Sequence, residues 1–133
     1  MKIYLNTDNT IKMITNENLN GDFIELSKEE FMEFQELLKL ETNQIKLTYI
    51  NNAFKFNIDY NTAICILRNQ RDRKITETDY LFLSDTSSLT TSTEKTAIKA
   101  KRKQLRDITN DLKDGDVIEI LKAIKIVNNI YNN

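Results

Sequence analysis

Residues 45–58 read IKLTYINNAFKFNI, with apolar and polar side chains alternating on both sides of a central Asn-Asn pair. Such alternation is typical of β-strands with one buried face, and Asn51-Asn52 suits a two-residue turn. With that turn three cross-strand pairs share one face, namely Tyr49 with Phe54, Leu47 with Phe56 and Ile45 with Ile58. The stretch therefore predicts a β-hairpin.

The amino terminus predicts a second hairpin. KIYLN (2–6) and TIKMIT (10–15) flank Thr7-Asp8-Asn9, which suits a three-residue loop with Asn9 in the left-handed region. This loop would place Ile3 opposite Met13 and Leu5 opposite Ile11 on one face. Residues 22–26 add a short predicted strand before the first helix.

That first helix begins within SKEEFMEFQELLKL, residues 27–40. Ser27 and Glu30 have the spacing of a capping box, in which each side chain accepts a hydrogen bond from the other's backbone amide. Phe31, Phe34 and Leu38 then fall on one helical face. The sequence predicts a helix whose apolar side packs on the hairpins.

The second half of the chain is predicted to be mainly helical. Residues 60–74 place Tyr60, Ile64 and Leu67 at helical spacing, and Thr91 with Glu94 caps a helix that reaches about residue 113. Between these helices lies a Ser/Thr-rich segment, interpreted as an ordered loop, and Asp114-Gly115-Asp116 suits a helix stop, a turn and a new N-cap. Residues 117–131 favour a final helix, with a strand over 117–121 as the alternative.

These elements define an α+β fold in which β-hairpins and one helix precede a helical half. We expect two units, residues 1–59 and 60–133, or one compact domain containing both. The single Cys65 lies in the apolar run TAICIL and is expected to be buried as a small hydrophobic residue.

Missing residue types restrict the chemistry. The 133 residues include no His, so His-based acid–base catalysis, Ser-His-Asp triads and His metal sites are excluded. Gly21 and Gly115, the only glycines, lie too far apart for a phosphate-binding loop. We therefore expect no catalytic, cofactor-binding or metal site. Without an apolar run long enough to span a bilayer or an apolar signal segment, we expect no membrane association and a cytoplasmic location.

A basic helix offers an alternative function. Six cationic residues lie within helix 95–106: Lys95, Lys99, Lys101, Arg102, Lys103 and Arg106. A regulatory protein could bind nucleic-acid phosphates with them. However, these charges point in several directions, no aromatic residue alternates with them, and the net charge is −1. A solvated helix face is the simpler interpretation, and nucleic-acid binding ranks second.

A spaced group of residues resembles a known pattern. It consists of Arg71-Asp72, then Asp79 in TDY, then Arg102, Leu105, Arg106, Asp107 and Ile108 in AIKAKRKQLRDIT. Over residues 68–110 this resembles the carboxyl-terminal region of tailed-bacteriophage tail proteins of the tail-fibre assembly type. Tyr80, Ile98 and Lys101 stand where that pattern has Trp, Trp and Tyr.

The resemblance implies a non-enzymatic bacteriophage tail protein. It would be a small structural or adaptor component of the tail or fibre attachment, or a tail-fibre assembly chaperone. Other tail or tail-fibre proteins would be its partners, and it could form a homo-oligomer. It would act in the host cytoplasm during assembly and lie in the virion tail afterwards.

Two groups of residues are candidate sites. Arginine side chains bonded to carboxylates can fix the geometry of a small helical unit, which favours a structural role for the charged group over direct partner contact. This group comprises Arg71, Asp72, Asp79, Arg102, Arg106 and Asp107. On the last helix, apolar residues spread over more than one side, so a candidate partner interface comprises Ile118, Ile126, Ile130 and Tyr131.

Overall fold

A computed structural model describes residues 1–83, 91–110, 112 and 115–132 of the chain. Its backbone contacts divide it into two compact units, Met1–Ile58 and Asp59–Asn133. The first contains five strands and one helix, and the second contains helices. The predicted α+β class is therefore confirmed. Residues 86–90 of the Ser/Thr-rich segment 86–93 and the predicted helix stop at Asp114 lie outside the described residues.

In the first unit, three antiparallel strands form a sheet in the order β2-β1-β3. These are β1 (Lys2–Leu5), β2 (Ile11–Thr15) and β3 (Phe23–Glu25). Asn9 has a φ of 68°, as its left-handed position in the first loop requires. The short strand expected within residues 22–26 is confirmed as β3.

The predicted register of the first hairpin is right at one end and wrong at the other. Leu5 pairs with Ile11, but Ile3 pairs with Ile14 instead of Met13 because a bulge interrupts the ladder between Tyr4 and Leu5. One extra residue on β2 moves the following side chains to opposite faces. Ile14 therefore packs on the core, while Met13 is exposed.

The second hairpin has the predicted register. β4 (Leu47–Ile50) and β5 (Ala53–Phe56) pair Leu47 with Phe56 and Tyr49 with Phe54. Asn51 and Asn52 have φ values of 54° and 63°, the left-handed pair that a type I′ turn needs. The strands are shorter than the alternation suggested, but the amide of Asn57 still donates to the Lys46 carbonyl at 3.0 Å.

Helix α1 (Lys28–Leu38) helps to form the core of the first unit. Its capping box is confirmed: the Glu30 amide donates to Ser27 Oγ at 3.2 Å, and the Ser27 amide donates to Glu30 Oε1 at 3.0 Å. Phe34 is 1% exposed and packs with the buried side chains Ile3, Leu26 and Leu47. The three-stranded sheet, the second hairpin and α1 thus contribute side chains to one apolar cluster.

Among its described residues, the second unit contains three α-helices and one 3-10 helix. They are α2 (Tyr60–Glu77), the 3-10 helix Asp79–Phe82, α3 (Ser92–Asp107) and α4 (Val117–Asn128). The capping box at Thr91 and Glu94 and the N-cap at Asp116 are confirmed. The alternative of a strand at residues 117–121 is wrong, and α3 ends before the predicted residue 113.

Helices α2 and α4 pack together and supply most of the buried side chains of this unit. On α2 these are Ala63, Ile64 and Leu67, and on α4 they are Ile120, Leu121, Ala123, Ile124 and Val127. The expectation of a buried Cys65 is wrong, because its thiol is exposed. Each helical residue turns by about 100°, so Cys65 points away from the side that Ile64 and Leu67 bury.

The candidate interface residues of the last segment differ in exposure. Ile126 is 49% exposed, Ile118 is half-buried, and Ile130 is 8% exposed. Ile130 is buried because the chain turns directly after α4, with its amide donating to the Val127 carbonyl at 3.3 Å. Within this unit Ile130 is a core residue, and Ile126 is the exposed member of the group.

We expect Ile130→Lys to destabilise the second unit by about 2 to 4 kcal/mol, because the change removes buried apolar surface and buries a charge. Ile126→Lys should change the free energy of unfolding by less than about 0.5 kcal/mol. Urea denaturation followed by circular dichroism measures both. Similar losses for the two variants would contradict this assignment of core and surface.

Candidate interaction site

Helix α3 carries most of the charged residues singled out in the sequence. Leu105 is fully buried and fixes which side of α3 faces the unit. Arg102 lies three residues earlier and so projects from the same side of the helix. As a result the Arg102 side chain is only 16% exposed.

The Arg102 guanidinium binds three oxygen atoms at the end of α2. Nη1 donates to the Ile75 carbonyl at 3.2 Å and to Thr78 Oγ1 at 2.9 Å, and Nη2 donates to Asp79 Oδ1 at 2.8 Å. A helix end leaves carbonyl groups without intrahelical partners and favours a cation, so a guanidinium fork suits this position. Arg102 thereby connects α3, the end of α2 and the start of the 3-10 helix.

Tyr131 joins the same group of hydrogen bonds. Its hydroxyl donates to the Lys74 carbonyl at 2.8 Å and lies 3.3 Å from Thr78 Oγ1. Thr78 is only 8% exposed, so these polar atoms satisfy one another with little access to water. Although the sequence placed Tyr131 in a candidate partner interface, its hydroxyl is bound within the second unit.

The other predicted charged residues do not form one network with Arg102. Arg71 Nε and Asp72 Oδ1 lie 2.9 Å apart, but they are neighbours in the sequence. Asp107 pairs with Lys103 at 3.7 Å and not with an arginine. Arg106 is exposed and makes no ion pair with another described residue. The Arg102–Asp79 bond is therefore the member of the group that joins separate elements.

A pocket of about 460 Å³ opens beside this connection. It is lined by Phe82, Lys99, Arg102, Lys103 and Arg106. Lys99 Nζ lies 5.8 Å from the centroid of the Phe82 ring, and Arg102 Cζ lies 5.0 Å from it. Both distances fit cation–π contacts, so the Phe82 ring stabilises the positions of the Lys99 and Arg102 side chains.

Phe82 was missed by the sequence interpretation, which found no aromatic residue alternating with the basic helix. Its only local signal is the apolar run in TDYLFLSD, just after Asp79. The 3-10 helix that begins at Asp79 brings Phe82 to the basic side of α3. Because the two segments are far apart in sequence, helical spacing on α3 alone could not reveal the pairing.

Lowered pKa values among the described carboxyl groups have local causes. The pKa of Asp8 is lowered because the Thr10 hydroxyl and amide donate to it, and the pKa of Asp59 is lowered by hydrogen bonds from Thr62. The pKa of Glu30 is lowered by the Ser27 amide and hydroxyl. These groups serve a turn and two helix N-caps, so their shifts do not indicate catalytic carboxylates.

Within the described ranges, no three His, Cys, Asp or Glu side chains come together as a metal site would require. None of the helices in those ranges combines the length and apolarity that crossing a bilayer requires.

The chain was also compared with known proteins. No protein-family model matches it, and neither a curated protein nor a solved structure is significantly similar to it.

We expect Arg102→Ala to destabilise the second unit by about 1 to 3 kcal/mol, because buried Thr78 and the end of α2 lose a charged hydrogen-bond donor. Arg106→Ala removes the same charge from an exposed position of α3 and should cost less than about 0.5 kcal/mol. Thermal and urea denaturation test the pair. Equal stability of the two variants would show that the hydrogen bonds of Arg102 contribute no more to the free energy of unfolding than an exposed charge does.

Proposed function

We propose that this chain is a non-enzymatic component of a bacteriophage tail. In this proposal it is a small structural or adaptor protein of the tail or fibre attachment, or an assembly chaperone for a tail fibre. Its partners are other tail or tail-fibre proteins. It acts in the host cytoplasm during assembly, and the adaptor form stays in the virion tail.

The main support is the bond between Arg102 and Asp79. These residues belong to two separate parts of the pattern on which the tail-protein resemblance rests, and their side chains meet at 2.8 Å. The bond gives a physical reason for the spacing of Asp79 and Arg102 in the sequence, because a small helical unit can hold α3 in place by binding an arginine to a carboxylate. A structural use of these charges suits a protein that acts by presenting surfaces to partners.

Exposed apolar side chains give further support for partner contacts. Tyr80 occupies the position of a Trp in the pattern and is 51% exposed, and Leu83 is 57% exposed. On α4, Ile126 is 49% exposed. Large apolar and aromatic side chains at the surface are common anchors of protein interfaces.

A second candidate function is nucleic-acid binding through α3. It is favoured by the pocket, which four cationic side chains and Phe82 line together. It ranks second for three reasons. Arg102 is already bound to Asp79, Lys103 lies near Asp107, and the Phe82 ring contacts Lys99 and Arg102 and so is less available to stack on a base.

Detection of the chain in phage particles tests the first proposal. We expect mass spectrometry of gradient-purified virions to find it if it is a structural component. A chaperone should be absent from virions but should co-purify with an unassembled fibre protein. If it is found in neither virions nor fibre-protein complexes, the tail proposal is wrong.

A mobility-shift titration tests the second. We expect no binding to duplex DNA or single-stranded RNA at physiological salt. If phosphate contacts did occur, affinity would fall steeply with added salt, and Lys99→Gln with Arg106→Gln would flatten that dependence. Such behaviour would reverse the ranking of the two functions.

A further inference from the structure

Two helices of this chain carry faces of opposite charge at the same spacing. On α3 the pocket residues Lys99, Arg102, Lys103 and Arg106 stand at positions i, i+3, i+4 and i+7. On α1 the residues Glu29, Met32, Glu33 and Glu36 stand at the same intervals. Each set follows one side of a helix for about 10 Å. We call them the basic face and the acidic face.

The residues of the acidic face are exposed. Glu29 and Glu33 are exposed, Met32 is 58% exposed, and Glu36 makes an exposed ion pair with Lys39. Phe31 and Phe34, which stack at 6.1 Å, point to the other side of α1, and Phe34 packs in the core. The face thus combines carboxylates with one large exposed thioether side chain.

The basic face offers the matching chemistry. Lys103 is 77% exposed and Arg106 is exposed, so both can reach carboxylates of a partner. Phe82 forms an apolar wall of the pocket between the cations. Thioether sulfur contacts aromatic rings favourably, which gives Met32 a suitable counterpart.

We propose that the acidic face of one copy of this chain docks on the basic face of a second copy. The carboxylates of Glu29 and Glu33 pair with Lys99, Lys103 and Arg106. Met32 enters the pocket against the edge of the Phe82 ring, because Lys99 and Arg102 lie over its face. Arg102 keeps its bond to Asp79 and supports the ring. A second copy is favoured over other partners because both halves of the complementarity, in charge and in spacing, are present in this sequence.

This contact joins two different surfaces, so it is head-to-tail. The docked pair still presents one acidic and one basic face at its two ends, and repetition produces a ring when the rotation closes and an open chain when it does not. The inference specifies a partner within the proposed tail function. It is tested on the purified chain alone, so its failure would leave the tail proposal to be judged by the virion measurement.

Sedimentation velocity of the full chain over a range of concentrations is the first test. We expect the average sedimentation coefficient to rise with concentration at low salt. The pairs are exposed, so raising salt from about 0.05 M to about 0.5 M should increase the dissociation constant at least tenfold. A monomer at every concentration, or a shape change independent of concentration, would overturn the proposal.

Charge reversal provides the sharper test. We expect Glu29→Lys with Glu33→Lys to abolish association, and Lys99→Glu with Arg106→Glu to abolish it as well. An equimolar mixture of the two variants should associate again, because the reversed acidic face of one fits the reversed basic face of the other. Failure of the mixture to associate would contradict the proposed pairing.

A matched control changes the same charge elsewhere. Lys12 and Lys55 are exposed on strands of the first unit, so Lys12→Glu with Lys55→Glu should associate like the natural chain. Loss of association in this control would indicate a net-charge effect and overturn the proposal. Circular dichroism checks the folding of each variant. If Lys99→Glu with Arg106→Glu does not fold, Lys99→Gln with Arg106→Gln should still weaken association at least fivefold.

Discussion

The placement of α3 against the end of α2 depends on one guanidinium group. Arg102 binds the Ile75 carbonyl near the end of α2, the buried hydroxyl of Thr78 and the carboxylate of Asp79 at the same time. Without it, buried oxygen atoms at the end of α2 would lose a charged donor that Tyr131 alone does not replace. The same contact fixes the start of the 3-10 helix and hence brings Phe82 to the basic side of α3.

This dependence links stability to surface chemistry. Arg102 pairs with Asp79 of the same unit and contacts the Phe82 ring, while neighbouring cations on α3 remain at the surface. A basic helix is compatible with a protein whose net charge is −1, because 20 acidic residues offset the 19 basic ones and one of the helix cations has a structural role. Nucleic acid is not needed to explain the run of Lys and Arg.

Local patterns in the sequence were sufficient for much of the fold. The second hairpin was predictable because alternation and the Asn51-Asn52 turn act over a few residues and agree with each other. The capping boxes at Ser27 and Thr91 were predictable for the same reason. The bulge in the first hairpin was not, because one extra residue on β2 leaves no clear signature in an alternating pattern.

The candidate site was only partly predictable. The sequence pattern included Arg102 and Asp79, but it gave equal weight to Arg106, which is exposed. It could not show that Phe82 meets α3, that Tyr131 binds at the end of α2, or that Cys65 faces outward. Each of these depends on the rotation of one helix relative to its neighbours, which tertiary packing decides.

The most direct test of the central claim is a double-mutant cycle on Arg102 and Asp79, with alanine at each position and at both. Unfolding free energies of the four proteins give the coupling between the two side chains. Because Arg102 is 16% exposed and Asp79 is 53% exposed, we expect a favourable coupling of about 0.5 to 1.5 kcal/mol. A coupling indistinguishable from zero would contradict the view that this bond holds α3 to the end of α2.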